Sequence, residues 1–433
     1  MTVEVPASPE AALDEAPLLR IATAGSVDDG KSTLIGRLLH DTKTVMSDHL
    51  AAAQRASERY GEAAHLALLT DGLRAEREQG ITIDVAYRFF ATPRRSFIVA
   101  DTPGHVQYTR NMVTGASTSD VAVVLVDARA GLVEQSRRHV HIAALMGVAH
   151  VVVAVNKMDL VDWDETTFET IVEQVVAYAH ECSADLPVTA IPLSALHGDN
   201  VVEPSANIDW YAGPTLLEFL EGVEISRAAS EVGARLAVQW VIRPHTDEHH
   251  DYRGYAGRLA GGALRPGDEI VVMPSGVRST VATIDTFDGP LEVAVPGQAI
   301  TVLLADDVDV SRGDTIVAAS DVPPCGSDVV ADLCWMIERP LRAGDRVMVK
   351  HGTRSTRAIV VELVHELDVN DLDARPSPEA LPLNAIGRVR LRTAVPLVGD
   401  RYAANRDTGR FVVVDEATNT TAAAGMIVSL DTR

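Results

Sequence analysis

A chain of 433 residues exceeds what one ordinary hydrophobic core encloses, which argues for about two to four domains. Its 46% hydrophobic and 23% charged residues are those of a soluble globular protein. The formal net charge of −23 argues against a nucleic-acid or anionic-membrane partner. No apolar run approaches the ~20 residues of a membrane span, and the N-terminus lacks a basic-then-apolar signal pattern, so the cytoplasm is the expected compartment. Cys182, Cys325 and Cys334 are too few and too scattered for a disulfide framework or a metal site.

Residues 1–17 carry no apolar periodicity and read as a flexible tail. Leu18–Thr23 reads as a buried strand, Leu34–Leu39 as the first turns of a helix. Between them lie Gly25, Ser26, Val27, Asp28, Asp29, Gly30, Lys31, Ser32 and Thr33, with the G-x-x-x-x-G-K-[ST] spacing of a phosphate-binding loop. Backbone N–H groups can cradle phosphate there, helped by the free donors and dipole of a helix start. Lys31 would reach the β and γ oxygens, and the Ser32 hydroxyl would ligate Mg²⁺. A Gly-rich strand-to-helix turn with no ligand is the plain alternative.

The long polar stretch Asp41–Gly80 is of a size usually kept for function. Thr82, between Ile81 and Ile83, suits a switch threonine whose hydroxyl meets Mg²⁺ and whose N–H meets the γ-phosphate, although a plain strand threonine looks the same. Ser96–Ala100 is β-like and ends at Asp101-Thr-Pro-Gly-His105. Asp101, at the carboxyl end of a buried strand, suits the Mg²⁺ site; Gly104 N–H would sense the γ-phosphate, and His105 would position the attacking water.

Val121–Val126 and Val151–Val155 are further strands, with helical spacing over Ser136–Met146 between them. The second strand closes on Asn156-Lys157-Met158-Asp159. The Asp159 carboxylate can accept from guanine N1–H and N2–H₂, which adenine does not offer in that arrangement. Asn156 would brace the loop and donate to N7, and the Lys157 stem would lie on the ring. After the strand Val188–Leu193, the backbone of Ser194, Ala195 and Leu196 can contact O6. These elements follow one another in order, each at a strand's end, and predict an α/β P-loop GTPase domain with a doubly wound sheet over residues 18–226, holding GTP and Mg²⁺.

Beyond Arg235 short strands alternate with turns such as Arg265-Pro-Gly-Asp268, Arg312-Gly-Asp314 and Arg342-Ala-Gly-Asp345. That pattern predicts two small antiparallel β-barrels, residues 227–324 and 325–433. The loop from His245 to Asp251 is rich in His and Asp; a solvated acidic loop accounts for it better than a metal site does.

A GTPase domain followed by two barrels resembles the translation-factor class. The stretch Asp71-Gly-Leu-Arg-Ala-Glu-Arg-Glu-Gln-Gly-Ile-Thr-Ile-Asp-Val-Ala-Tyr87 resembles, more narrowly, the GTPase subunits of bacterial sulfate adenylyltransferase (subunit 1, the large subunit of ATP sulfurylase). So do Asp101-Thr-Pro-Gly-His105 with Gln107–Ser117, Val126-Asp-Ala-Arg129, Gln135-Ser-Arg-Arg-His139, Trp210–Leu217 and Leu381-Pro-Leu-Asn384. Val106 departs from the acidic residue expected after His105. The resemblance implies GTP hydrolysis coupled to formation of adenosine 5′-phosphosulfate and pyrophosphate from ATP and sulfate. It also implies a partner, the catalytic sulfate adenylyltransferase subunit 2. The sequence has one phosphate loop and no Ser-Gly-Gly-x-Asp-Ser loop for the pyrophosphate of ATP, so adenylyl transfer is expected on that second chain. No second phosphate loop near the C-terminus suggests a fused adenylylsulfate kinase. The competing readings are a translational GTPase that delivers aminoacyl-tRNA and a GTP-gated scaffold.

Overall fold

The computed structural model describes residues 18–43, 85–102, 109–225, 232–244 and 252–431. It divides into two compact units, one reaching to Ile225 and including Val369–Leu372, the other holding the remainder. Thr82, Gly104 and His105 lie outside the described residues, as do the tail and the His245–Asp251 loop.

In the first unit six strands form one sheet: β1 (Leu18–Ala24), β2 (Ala86–Ala91), β3 (Ser96–Asp101), β4 (Val121–Asp127), β5 (His150–Asn156) and β6 (Val188–Pro192). Their spatial order is β2-β3-β1-β4-β5-β6, parallel except for β2, which pairs antiparallel with β3. The apolar runs are strands because both faces of the sheet are covered, so nearly every side chain is buried. On one face Leu19, Ile21, Val121, Val123, Leu125, Val152 and Ala154 pack with Leu34, Ile35 and Leu38 of helix α1 (Lys31–Asp41). Leu216 and Leu220, of the short helix Leu216–Gly222, complete that core. The direction of chain travel reverses at β1, whose neighbours β3 and β4 lie on opposite sides. Ligands collect at the carboxyl ends of strands at such a point.

Three elements here go beyond the sequence reading: α2 (Thr109–Ala116), α4 (Glu165–Cys182) and strand β2. The helix expected over 136–146 is α3 (Glu134–Leu145), and Leu216–Gly222 is α5. In α4 the buried residues Phe168, Ile171, Val175, Tyr178 and Ala179 form one stripe. Its start is fixed by Asp164, whose carboxylate accepts from Thr167 N–H at 2.8 Å.

The second unit holds two antiparallel sheets, β7–β13 and β14–β20 in chain order, spanning Ala234–Ala318 and Cys325–Asp431. In each, six strands close into a ring: β10 (Val277–Thr286), β12 (Ala299–Leu304), β8 (Gly254–Gly261), β7 (Ala234–Ile242), β13 (Thr315–Ala318) and β9 (Glu269–Met273) returning to β10, and β15 (Arg346–His351), β19 (Arg410–Val414), β20 (Thr421–Asp431), β14 (Cys325–Trp335), β18 (Ile386–Val398) and β16 (Arg354–Leu367) returning to β15. Closure leaves no free edge in the ring, and the cores are the inward-facing alternate residues around Leu236 and Val302, and around Trp335 and Val389. The shared turn motif of the two barrels is also a shared geometry. Gly267 and Gly344 have φ 91° and 90°. Asp268 and Asp345 accept from the N–H of Arg265 and Arg342 at 2.8 and 2.9 Å. Arg312-Gly-Asp314 is a turn of the same design, with Asp314 accepting from Ser311 N–H at 2.9 Å.

One buried cation joins the barrels. Arg235 of β7 is 1% exposed and donates to both Asp400 carboxylate oxygens at 3.2 Å, and to Asp321 Oδ2 at 2.8 Å. Arg354 adds a second link, to Asp314 at 2.9 Å. Removing one partner of a buried pair strands the other, at a cost of about 3–5 kcal/mol. Arg235→Leu should therefore destabilise the barrel unit by about that amount in urea titrations, and Arg235→Leu/Asp400→Asn should recover part of it; a single-variant loss below about 1 kcal/mol would show that the seam does not depend on this pair.

Candidate guanine-nucleotide site

The loop between β1 and α1 is shaped by its own side chains. Gly30 takes φ 94°, a left-handed conformation that costs other residues, and starts α1. A Cβ on Gly30 would stand 2.5 Å from Asn156 Nδ2, so glycine is required for approach as well as for backbone. Asp29 turns inward, its Oδ2 accepting from Ser26 N–H at 2.5 Å. Burial pushes the Asp29 carboxyl above the usual carboxylate range, opposed by the Ser26 N–H and by Lys31. Lys31 is 8% exposed and donates from Nζ to the Gly25 and Ser26 carbonyls, each at 2.7 Å. Its burial lowers the ammonium's pKa, against the pull of Asp29, Asp101 and Asp28. A buried cation at a helix start, where the first N–H groups have no partner within the helix, is a seat for an anion.

Asp101 closes β3 at 2% exposure, and Thr102 beside it donates to Thr23 O at 2.5 Å, holding the ends of β3 and β1 together. Ser32 and Thr33 lie in the first turn of α1.

The other half of the site is built on β5. Asn156 is 2% exposed and uses one amide on two loops. Its Nδ2 donates to the Asp29 carbonyl at 2.7 Å, and its Oδ1 accepts from Ala195 N–H at 2.9 Å. Lys157, at φ 65°, sends Nζ to the Asp28 carbonyl at 2.5 Å and to Asp127 Oδ2 at 2.9 Å. Asp159 follows in a 3₁₀ turn over Met158–Val161, with His197 Nε2 3.7 Å from its carboxylate. Gly25–Thr33, Asn156, Lys157 and Ser194–Leu196 are thus in one hydrogen-bonded assembly at the carboxyl ends of β1 and β5.

The structure adds side chains for which the sequence offered no role. Asp127, at the end of β4, binds Arg129 through two hydrogen bonds at 2.6 and 3.0 Å as well as Lys157. Burial opposes its ionisation, but the bonds from Arg129 and Lys157 outweigh this and hold the carboxyl well below its ordinary range. Arg37 of α1 donates to the Ala195 carbonyl at 3.3 Å and to the Leu196 carbonyl. The only signal for it in the sequence is a cation inside an apolar run, Leu34-Ile-Gly-Arg-Leu-Leu39.

The residues present fit a nucleotide: a glycine cradle, a buried lysine and a base-side loop whose Leu196 N–H makes no hydrogen bond within the described residues. Fold and site together define a GTPase of the translation-factor type. Residues 16–226 match the family model of the elongation factor Tu GTP binding domain, residues 255–317 that of elongation factor Tu domain 2, and residues 328–428 that of the GTP-eEF1A C-terminal domain-like family. Among curated proteins, the chain is 54% identical over 413 residues to the bifunctional enzyme CysN/CysC of Mycobacterium tuberculosis, covering 95% of this chain and 67% of that protein. Sulfate adenylyltransferase subunit 1 of Yersinia enterocolitica is 52% identical over 413 residues, with 95% and 85% covered. Its counterpart from Salmonella typhimurium is 52% identical over 419 residues, with 96% and 86% covered. The chain belongs to the sulfate adenylyltransferase subunit 1 family.

Gly30→Ala tests the cradle. The left-handed backbone alone costs about 1–2 kcal/mol, and the clash with Asn156 adds to it, so GDP affinity by calorimetry should fall at least about tenfold. Wild-type affinity in a folded variant would contradict the geometry.

Proposed function

We propose that this chain is the GTP-hydrolysing subunit of a two-subunit, cytoplasmic sulfate adenylyltransferase. GTP hydrolysis here drives formation of adenosine 5′-phosphosulfate and pyrophosphate from ATP and sulfate on a partner catalytic subunit. The observation that carries the reading is the Asn156 amide, joined to the phosphate loop and to the Ala195 turn in a chain of the subunit 1 family. Its domains run 18–226, 227–324 and 325–433, the first holding the nucleotide.

Each residue has a task that its chemistry suits. The N–H groups of Gly25–Thr33 cradle the phosphates, and Lys31 offsets their charge. Ser32, Thr82 and Asp101 would hold Mg²⁺, which supplies charge neutralisation on the β and γ oxygens. Gly104 N–H senses the γ-phosphate, and His105 orients the attacking water. Asp159 selects guanine through N1–H and N2–H₂, and Asn156 and the Ser194–Leu196 backbone serve N7 and O6. Forming a phosphosulfate anhydride is strongly uphill, so a second hydrolysis coupled to it is chemically warranted. A translational GTPase delivering aminoacyl-tRNA is disfavoured by the net charge of −23 and by the family to which the chain belongs.

GTP turnover should rise when the catalytic subunit, ATP and sulfate are supplied together, and ribosomes should leave it unchanged. The opposite pattern would overturn the reading. His105→Ala should abolish most of the stimulated turnover with GTP affinity near wild type; a matching loss of affinity would make His105 structural.

A further inference from the structure

Arg37 carries a consequence for base recognition. It lies on α1, its side chain 12% exposed, with the Asp41 carboxylate at 3.7 Å. It also donates to two carbonyls: Nε to Ala195 O at 3.3 Å and Nη2 to Leu196 O, residues 158 and 159 positions away in the chain. Gly198 makes room for this. It has φ 83°, and a Cβ there would stand 3.3 Å from Arg37 Cδ.

A trans peptide points its C=O and the following N–H in opposite directions. With Ala195 C=O held toward α1, the N–H of Leu196 is turned away from α1. Holding Leu196 C=O does the same for His197 N–H. These donors are not equivalent. Ala195 N–H is taken by Asn156 at 2.9 Å, and His197 N–H leans on Ser194 Oγ at 3.4 Å. Leu196 N–H makes no bond within the described residues.

We propose that Arg37 is the positioning residue for recognition of the purine 6-oxo group. It aims the Leu196 N–H, and by drawing charge onto the Ala195 carbonyl it makes that N–H a stronger donor. It acts through the backbone and does not touch the ligand. Because α1 begins at Gly30, the same side chain ties the base-reading turn to the helix that opens the phosphate seat. The proposal rests on the reading of Ser194–Leu196 as the base loop.

The test compares GDP, 6-thio-GDP and ADP by calorimetry on the wild-type chain, Arg37→Met and Arg37→Lys. 6-Thio-GDP keeps N1–H and N2–H₂ and replaces only the 6-oxygen, by a weaker acceptor. Wild-type preference for GDP over ADP checks the base site itself; without it, the site reading fails and Arg37 with it. Given that preference, Arg37→Met should weaken GDP about ten- to a hundredfold, the scale of one charge-supported hydrogen bond. It should weaken 6-thio-GDP far less, so that the preference between the two shrinks, and Arg37→Lys should restore part of it. Equal losses for both nucleotides, or no loss for GDP, would overturn the proposal while leaving the site reading intact. Should Arg37→Met not fold, the same ratio in Arg37→Lys decides.

Discussion

The carboxamide of Asn156 is the interaction on which the site depends. It is nearly inaccessible to solvent, and a buried amide must find partners for both its ends. One end takes the Asp29 carbonyl in the phosphate loop, the other the Ala195 N–H beyond β6. Loops distant in sequence are thereby locked at the same edge of the sheet. Gly30 must be glycine because this amide lies against it. Lys157, one residue on, repeats the pattern by joining Asp28 to Asp127. The two loops therefore share a frame, and a nucleotide bridging them would meet a preorganised pair.

Charge is distributed to match. The chain is strongly acidic, yet a buried lysine sits in the phosphate loop with Asp29, Asp101 and Asp28 near it. Burial disfavours the charged ammonium, and an anionic phosphate bound beside it would offset that cost. In the barrel unit the same physics serves stability. Arg235 and Asp400 are both buried, where each charge is tolerated because the other is present, and the half-exposed Asp321 adds a second carboxylate.

Much of this was legible in the sequence, for identifiable reasons. The strands of the nucleotide domain are continuous apolar runs because both faces of the sheet are covered, and Val121–Asp127 is buried at every position. The barrels announced themselves through repeated Gly-Asp turns whose left-handed glycine has one structural solution. Helix α4 was harder to see. Phe168, Ile171, Val175 and Tyr178 stand at helical spacing, but the β-branched pairs Ile171-Val172 and Val175-Val176 blur the stripe with apolar residues that suit a strand as well. Strand β2 exposes Tyr87 and Phe89, which blurs its alternation. Asn156 and Lys157 could be placed from their motif, but Arg37 and His197 could not. Their partners are set by tertiary contact, and no local pattern encodes a guanidinium meeting a carbonyl 158 residues away.

The most direct measurement exchanges the base. With Asp159 as the proposed guanine reader, Asp159→Asn would turn an amide N–H toward the purine 2-position, where xanthine offers an oxygen and guanine an amino group. Adenylyl sulfate formation would be followed with the catalytic subunit, ATP and sulfate present, using xanthosine triphosphate or GTP as the second nucleotide. The account predicts that synthesis by the variant is driven by xanthosine triphosphate and no longer by GTP. Synthesis that still follows GTP, or that follows neither nucleotide in a folded complex able to bind xanthosine diphosphate, would contradict it.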